Sequence, residues 1–512
     1  MTSRFGFATQ PAAFAALVAL ALGTLVRVLP TLPGPLTSGD GGLIVVMVDD
    51  LRNAGLQLPL VTTYNAAGLP FIYPPFALYA AAGLADLIDL SSLAVVRILS
   101  SALSLATLGV FAILAGRLLA PAAAAGALMA YALMPHAYDW IVAGGGLTRG
   151  MGLLFASLAM FVAASPSGLS RRSAVTIGVL VGFSALSHPQ AGLLAAAGSA
   201  VFGYTRHRPS TVVLLLAAAG VAGLIVVPWL IAVAGEHGWA AVLAAGHRWE
   251  PLINVIRLLS LSFSGSAFTD LFLLFAVLGL AVDMSRRVPR LSALLVCLVL
   301  AGWASGSFLA ALPWALLAGV GIQFVVERFG PRRRATDRLL AVAVGAAALF
   351  LALVSSLGSG VNETSRLQRV SPDQMAAMIW VAEESHPETR FIVATTVVWG
   401  FDEISEWFPA VADRQSVATV QGSEWLGAEG FAAQRDLHSG VLACTRSTAR
   451  CVTDWAADTG FSDAWLFIPK GQVNGPLSPN DCCPALRETV QESAFYQVVY
   501  DGVGATIARP VD

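Results

Sequence analysis

The run Pro11-Ala-Ala-Phe-Ala-Ala-Leu-Val-Ala-Leu-Ala-Leu-Gly-Thr-Leu-Val-Arg-Val-Leu29 is followed closely by a short acidic segment, Ser38-Gly39-Asp40-Gly41-Gly42. A hydrocarbon core about 30 Å thick takes about 20 residues of helix. Backbone polar groups inside it have no water to bond, so a crossing segment closes its hydrogen bonds on itself as a helix. The first run has that length. It lacks a small-residue cleavage site and further apolar runs follow it, so it reads as an anchor and not as a cleaved signal peptide.

Composition extends this reading along the chain. Of 512 residues 56% are hydrophobic and only 12% charged, with a mean hydropathy of +0.72, far from the averages of soluble domains. A net charge of −2 leaves no basic footprint for a polyphosphate, so nucleic acid is excluded as a partner. Roughly eleven runs of spanning character precede Leu357. They begin with Pro11 to Leu29, Leu93 to Leu114, Pro121 to Pro135, Thr148 to Ala164, Ser173 to Ser187 and Gln190 to Tyr204. Thr211 to Ala234, Ala267 to Asp283, Leu291 to Ala304, Phe308 to Val326 and Leu339 to Leu357 complete the set. The fold class expected is a polytopic α-helical membrane protein of about 11 transmembrane helices, residues 1–360, followed by an α/β domain, residues 361–512.

Charge gives the expected orientation, because short cytoplasmic loops collect Lys and Arg. Arg4, Arg117, Arg171 and Arg172, Arg206 and Arg208, Arg286, Arg287 and Arg290, then Arg328 and Arg332 to Arg334 fall in alternate loops. Those loops are read as cytoplasmic, with the N-terminus, in a plasma or inner membrane. Asp40, Asp49, Asp50, Asp86, Asp89, Asp139, Glu236 and Glu250 fall in the loops between them. The tail is then extracytoplasmic. Phe71 to Leu90 is apolar, yet a crossing there would reverse every later basic cluster. It is read as a helix lying in the outer interface, started near Pro74 and Pro75 and anchored by Tyr73 and Tyr79.

In the tail, Phe391 to Thr396 and Ala464 to Ile468 read as strands, Ser371 to Glu384 and Gly430 to Thr445 as helices, and Phe495 to Ala508 as a hairpin turning at Asp501-Gly502. Four of the five cysteines lie there, Cys444, Cys451, Cys482 and Cys483. Outside the cytoplasm a disulfide is expected. Cys444 with Cys451, or either of these with Cys482 or Cys483, satisfies it, whereas the adjacent Cys482 and Cys483 are not expected to bond each other.

Asp40 stands where the first span meets water, between glycines that let a ligand approach the backbone. It can equally cap a following helix, and the pair Asp49 and Asp50 can decorate a surface. Gly39-Asp40-Gly41-Gly42, the spacer with Gly68-Leu69-Pro70, Phe71 to Pro75, and Arg97 opening the next span together resemble the first external loop of GT-C superfamily glycosyltransferases. The inside N-terminus, the many spans and the external α/β tail are similar to the layout of that superfamily. The resemblance implies an enzyme that moves a hexosyl or pentosyl group from a polyprenyl-phosphate-linked donor to an extracytoplasmic glycan, lipid or protein acceptor. It matches Asp40 to the family's acid after the first span, a base or metal ligand, and Asp139 to the second acid of the next external loop.

Displacing phosphate from an anomeric carbon builds positive charge on the sugar and negative charge on the leaving group, while the acceptor hydroxyl loses a proton. A carboxylate and a cationic clamp are the minimum set. Asp40 is the expected base. Arg149 lies at the outer start of a span where free amides favour an anion, and His188 interrupts two short runs at the same level. His237, His247, Arg248 and Arg257 are further phosphate candidates, and Tyr73 a further substrate contact. A divalent cation, Mg2+ or Mn2+, bridging Asp40 and Asp50 is the cofactor considered; metal-free catalysis is its equal. Asp402 to Pro409 and Gln421 to Trp425 offer either a sugar-binding lip or core aromatics. The rival function is a secondary transporter or flippase for glycolipids, which places charges near the bilayer midplane and repeats its halves; neither sign stands out here.

Overall fold

The computed structural model describes residues 6–29, 36, 41–142, 146–204, 210–244, 271–300, 308–329, 350, 354, 370–471, 473 and 481–511. Asp40, His247, Arg248, Arg257, most of the span read at Leu339 to Leu357 and the 360/361 boundary lie outside these residues. The helical part consists of α1 (Gly6–Val28), α2 (Gly41–Asn53), α3 (Phe76–Ile88), α4 (Ser92–Leu118), α5 (Pro121–Leu133), α6 (Asp139–Val142), α7 (Gly146–Ala163), α8 (Arg171–Ser187), α9 (Pro189–Gly203), α10 (Ser210–Ala244), α11 (Leu271–Met284), α12 (Arg290–Leu300) and α13 (Phe308–Phe329). Among the described residues, five helices are long and apolar enough to cross a membrane: α1, α4, α7, α10 and α13.

Local signals set these boundaries. Ser91 caps α4 through the amide of Ala94, Ser170 and Ser173 form a capping box on α8, and proline opens α5 and α9. Small residues then let helices touch. A Cβ on Gly321 would stand 2.0 Å from the carbonyl oxygen of Phe275, and one on Gly279 1.8 Å from that of Leu317. This leaves α11 and α13 in backbone contact, the packing available where lipid offers no hydrophobic drive between helices. The core of the bundle runs through α5, α7, α9 and α13, with Tyr131, Leu194, Leu312 and Leu316 fully buried.

One expectation is corrected here. The run read as ending at Ala234 continues helically to Ala244, broken at Gly238, whose φ of 77° and ψ of 157° leave the helix. Helix α3 also packs on the protein: Ala77, Leu78, Ala81, Ala82 and Ala85 are buried against α2, α4, α7 and α8, and its exposed apolar residues are at the end, Leu87 and Ile88. At 13 residues it is about 20 Å long, short of a hydrocarbon core.

The C-terminal part holds α14 (Pro372–Glu384), β1 (Phe391–Val393), α15 (Glu403–Ala412), α16 (Gly427–Cys444), α17 (Ala449–Thr459), β2 (Trp465–Pro469), α18 (Pro484–Gln491), β3 (Tyr496–Asp501) and β4 (Ala505–Pro510). The sheet order is β1-β2-β4-β3, with β1 parallel to β2 and the other pairs antiparallel. Ser371 and Gln374 form the capping box of α14, with Pro372 in its first turn. Helices α15, α17 and α18 were not anticipated; each is short, and α15 carries Pro409 inside it.

Cys444 and Cys451, seven residues apart, are bonded across the turn between α16 and α17. Cys482 and Cys483 are also bonded to each other, against expectation. Extended backbone would send neighbouring side chains to opposite faces. Cys483 instead takes a φ of 56°, and both sulfurs gather at the carbonyl of Ala394, 3.7 and 3.5 Å away.

Candidate active site

Helix α2 joins the two parts of the molecule. Its apolar face from Leu43 to Leu51 is buried, and its first turn rests on α15. A Cβ on Gly42 would stand 2.2 Å from the carbonyl oxygen of Glu406 and 3.3 Å from the Cα of Trp407. The same carbonyl accepts a hydrogen bond from the Tyr64 hydroxyl at 2.8 Å. So the close approach that Gly42 permits is used by the protein's own backbone. Trp407 is buried in the cluster shared by α2, α3 and α4, where Tyr64, Phe71 and Leu78 also lie.

The acids that follow are committed to structure. Asp50 accepts from the Thr63 hydroxyl at 2.7 Å and from the Thr63 amide at 3.1 Å. Burial raises its carboxyl above the ordinary range despite those bonds and those from Thr62. Asp49 accepts from the Ser92 hydroxyl, and burial raises it too. Arg52 donates to Asp86 at 2.7 Å and to Ser92 at 3.1 Å and lies 3.7 Å from Asp49. This network pins α2 to α3 and α4. Of the two carboxylates expected to share a cation, Asp50 spends both oxygens on Thr63, an arrangement that fits a cation poorly, and no step below is routed through one.

A second group surrounds the start of α7. Tyr73, read as a lipid anchor, shares a hydrogen bond of 3.1 Å with Thr148 and places its ring 5.9 Å from that of Trp425. It links α7 to the C-terminal domain. Arg149 is the next residue of α7, half-buried. His188 joins α8 to α9 and is 8% exposed. The Ser184 hydroxyl donates to the Gly152 carbonyl at 2.7 Å, and a Cβ on Gly152 would stand 3.0 Å from that of His188. His188 therefore sits about a turn and a half below the top of α7, within the electrostatic reach of Arg149 and edge-on to Phe308 at 5.4 Å. Its buried Nδ1 makes no hydrogen bond among the described residues.

Asp139 opens α6 and lies within electrostatic reach of Arg27, at the end of α1. Arg27 went unread in the sequence, hidden inside the first apolar run. It is 1% exposed and donates to the carbonyls of Gly23 at 3.0 Å, Ala132 at 2.8 Å and Tyr131 at 3.1 Å. Its guanidinium faces the rings of Tyr131 and Tyr138, 5.8 and 4.8 Å away. The last carbonyls of α5 lack helical partners and carry the negative end of its dipole, so this cation caps them. A lone arginine near the end of an otherwise apolar span was the available signal.

His237 is half-buried on α10, just before the break at Gly238; no described contact brings it to Arg149 or His188. Among the described residues no three His, Cys, Asp or Glu side chains cluster in a metal-binding group.

Comparison with known proteins bears on the fold. No protein-family model matches the sequence, and no curated protein matches it. Solved structures do. ArnT from Cupriavidus metallidurans bound to undecaprenyl phosphate is similar at a TM-score of 0.60 and 14% identity, covering 98% of both chains. The oligosaccharyltransferase AglB from Archaeoglobus fulgidus, in complex with an inhibitory peptide and a dolichol-phosphate, is similar at 0.57 and 13%, covering 90% of this chain and 70% of its own. The arabinofuranosyltransferase AftD from Mycobacteria is similar at 0.58 and 16%, covering 98% of this chain and 40% of its own. All three are GT-C superfamily proteins, and the likeness gives this chain their fold: a bundle of apolar helices with a C-terminal sheet-containing domain.

Proposed function

We propose that this chain is a membrane glycosyltransferase that moves a sugar from a polyprenyl-phosphate-linked donor to an extracytoplasmic acceptor by direct displacement. The observation that carries the reading is the convergence of Arg149 and His188 at the start of α7, tied through Thr148 and Tyr73 to the C-terminal domain. The shared fold with glycosyltransferases supports it.

In this reading the donor phosphate lies against the first turn of α7, where free amides and the positive end of the dipole favour an anion. Arg149 supplies fixed positive charge, and His188 a buried nitrogen beneath it. Asp40 takes the proton from the acceptor hydroxyl as its oxygen bonds the anomeric carbon. The bond from that carbon to phosphate oxygen breaks, and the electron pair leaves with the polyprenyl phosphate, which needs no acid to depart. Asp139 holds a second negative charge near the sugar, balanced by Arg27. The N-terminus is cytoplasmic and the C-terminal domain faces outward, so the acceptor arrives from the domain side.

The test is donor turnover by purified protein given radiolabelled polyprenyl-phosphate sugars, wild type against Asp40→Asn. Turnover lost in the variant agrees with the proposal. Turnover surviving the change removes Asp40 as base, and flux of intact donor across vesicles without transfer replaces the enzyme with a transporter.

A further inference from the structure

Between β1 and α15 the C-terminal domain presents a short apolar turn, Val397-Val398-Trp399-Gly400-Phe401. We propose that this turn sits in the outer boundary of the lipid bilayer and docks the domain on the membrane. The inference concerns how the domain meets lipid and stands whether or not the chain transfers sugars.

Turns in water favour Gly, Asn, Asp and Ser, yet this one leaves two large apolar side chains uncovered. Val398 is 56% exposed and Phe401 52%. The turn is also fixed at both ends. The Phe401 amide donates to the Val398 carbonyl at 2.9 Å, and the next residue, Asp402, caps α15 by accepting from the Ser405 amide at 3.1 Å. Trp399 stands edge-on against Phe431 of α16 at 5.7 Å. An apolar patch held out in one conformation marks a surface that something covers.

Helix α10, which reaches the domain from the bundle, identifies the cover. Its first half packs on α8, where a Cβ on Gly178 would stand 2.5 Å from the Ala218 carbonyl oxygen and one on Gly182 2.9 Å from Ile225. Leu216, Leu224 and Ile231 of the same helix are exposed, and on a crossing helix such residues face lipid. From Ser210 to Gly238 α10 rises about 42 Å, close to the thickness of a bilayer with its headgroups, about 40–45 Å. The break at Gly238 therefore falls near the outer surface, and beyond it Trp239 and Leu243 are 57% and 75% exposed. The partners of α10 in the domain are the 3-10 turn Ser423–Leu426 and α16, and Phe431 lies one turn into α16. The lipid-facing side of α10 thus leads through Trp239 and Leu243 to the part of the domain that carries Phe431, Trp399 and the exposed pair.

The chemistry of the patch fits a bilayer boundary. Aromatic rings collect at the headgroup level, where an apolar body and a polar edge are both accommodated. The exposed charges on the adjoining turns of α16 are Glu429, Arg435 and Asp436. They form no basic cluster that would seek anionic lipid, so the attraction is apolar. Because Asp402 follows Phe401 directly, the lipid contact shares one fixed segment with the first turn of α15, which bears on Gly42.

Nitroxide labels on the full chain in phosphatidylcholine nanodiscs test the docking, placed at Val398→Cys or at Phe401→Cys with the exposed Cys297 replaced by Ala. Glu388→Cys, exposed before the opposite end of β1, is the water reference. Oxygen concentrates in hydrocarbon and a nickel chelate in water, so power-saturation EPR reads the ratio of the two collision rates. At one or both turn sites that ratio should be several-fold higher than at the reference. Val398 is exposed, so its variant folds even where the change at Phe401 does not. A ratio equal to the reference at both sites leaves the turn in water and overturns the docking. Low collision rates with both reagents mean a protein cover, either a second copy or another segment of this chain, and overturn it as well.

Discussion

Gly42→Ala is the sharpest probe of how the two parts of the molecule share one site. The added Cβ would meet the Glu406 carbonyl oxygen at 2.2 Å, with the carbonyl carbon at 3.0 Å and the Trp407 Cα at 3.3 Å, where ordinary contact begins at 3.4 Å. All three are backbone, so no side chain can swing away. Helix α2 or α15 has to move by about 1.2 Å, the gap between 2.2 and 3.4 Å, at a cost of about 1–3 kcal/mol, the usual range for overpacking. That shift also stretches the 2.8 Å bond from Tyr64 to the same carbonyl, worth about 1 kcal/mol. Asp40 precedes Gly42 by two residues in the sequence, so under the proposed role a shift of α2 displaces the base. A misplacement of this size costs about 100-fold in a reaction that depends on alignment. Donor turnover should fall by one to two orders of magnitude, and Tyr64→Phe, which keeps the packing, should fall far less. Turnover within twofold of wild type in purified, folded Gly42→Ala would refute the idea that the α2–α15 contact sets the base.

Arg414→Met should destabilise the C-terminal domain by about 3 kcal/mol, because the buried guanidinium donates to the Ser385 hydroxyl at 2.9 Å and to the carbonyls of Ala382 and Ser385 at the end of α14; thermal unfolding followed by tryptophan fluorescence measures it. Asp50→Asn tests the buried acid: with its folded pKa raised by desolvation, wild type is most stable below the unfolded value of about 3.9 and loses that contribution as pH rises through the folded value. The variant should show a shallower fall of Tm with pH, reduced and not abolished because Asp49 is raised as well, and parallel curves would count against it. Asp501 works in the opposite sense, lowered by the hydrogen bond from Lys470 at 2.7 Å and by Thr506. Its contribution is present above the unfolded value and lost on acidification, so Lys470→Met should lower Tm at neutral pH and change it little below about pH 3. Arg149→Ala should raise the donor KM about tenfold or more in turnover assays, the loss of one charge-assisted bond to phosphate; an unchanged KM would take Arg149 out of the phosphate site.

The bundle was legible because apolar length is a one-dimensional property. The starts of α4, α5, α7, α8, α9 and α13 fall within about two residues of the sequence reading, since serine caps, prolines and the first apolar residue mark them locally. Helix α10 ran past its expected end because the segment after Gly238 is held by the 3-10 turn Ser423–Leu426 and by α16, which no local signal announces. Helix α3 shows the same limit. Its alanines read as membrane surface, and only the neighbours α2, α4, α7 and α8 reveal them as packing positions. The pairing of Cys482 with Cys483 depends on one left-handed backbone angle that spacing cannot show.

Site residues divided along the same line. Arg149 and His188 stood out because ionisable groups beside apolar runs are rare, and they do lie within electrostatic reach of each other. Asp49 and Asp50 read as surface acids, whereas hydrogen bonds from Ser92 and Thr63, supplied by segments 13 to 43 residues away, turn them into fasteners of α2. Arg27 was masked by the hydrophobicity around it. A buried arginine is tolerated there only because α5 ends beside it with carbonyls to fill, and two tyrosine rings line the place.

The distribution of these contacts explains why the C-terminal domain is packed into the bundle and is not an appendage. The buried face of helix α2 is shared between α3 and α4 on one side and α15 on the other. Tyr73 reaches Thr148 on α7 and Trp425 on the domain at once, and Asn65 donates to the Thr419 carbonyl at 2.9 Å. Helix α2, Tyr73 and Asn65 therefore tie the bundle to the C-terminal domain at three places. A short apolar helix of 13 residues, too short to cross a membrane, would gain little by folding alone. Its order comes from being clamped on both faces, by the bundle and by α15, which makes α2 a property of the assembled chain.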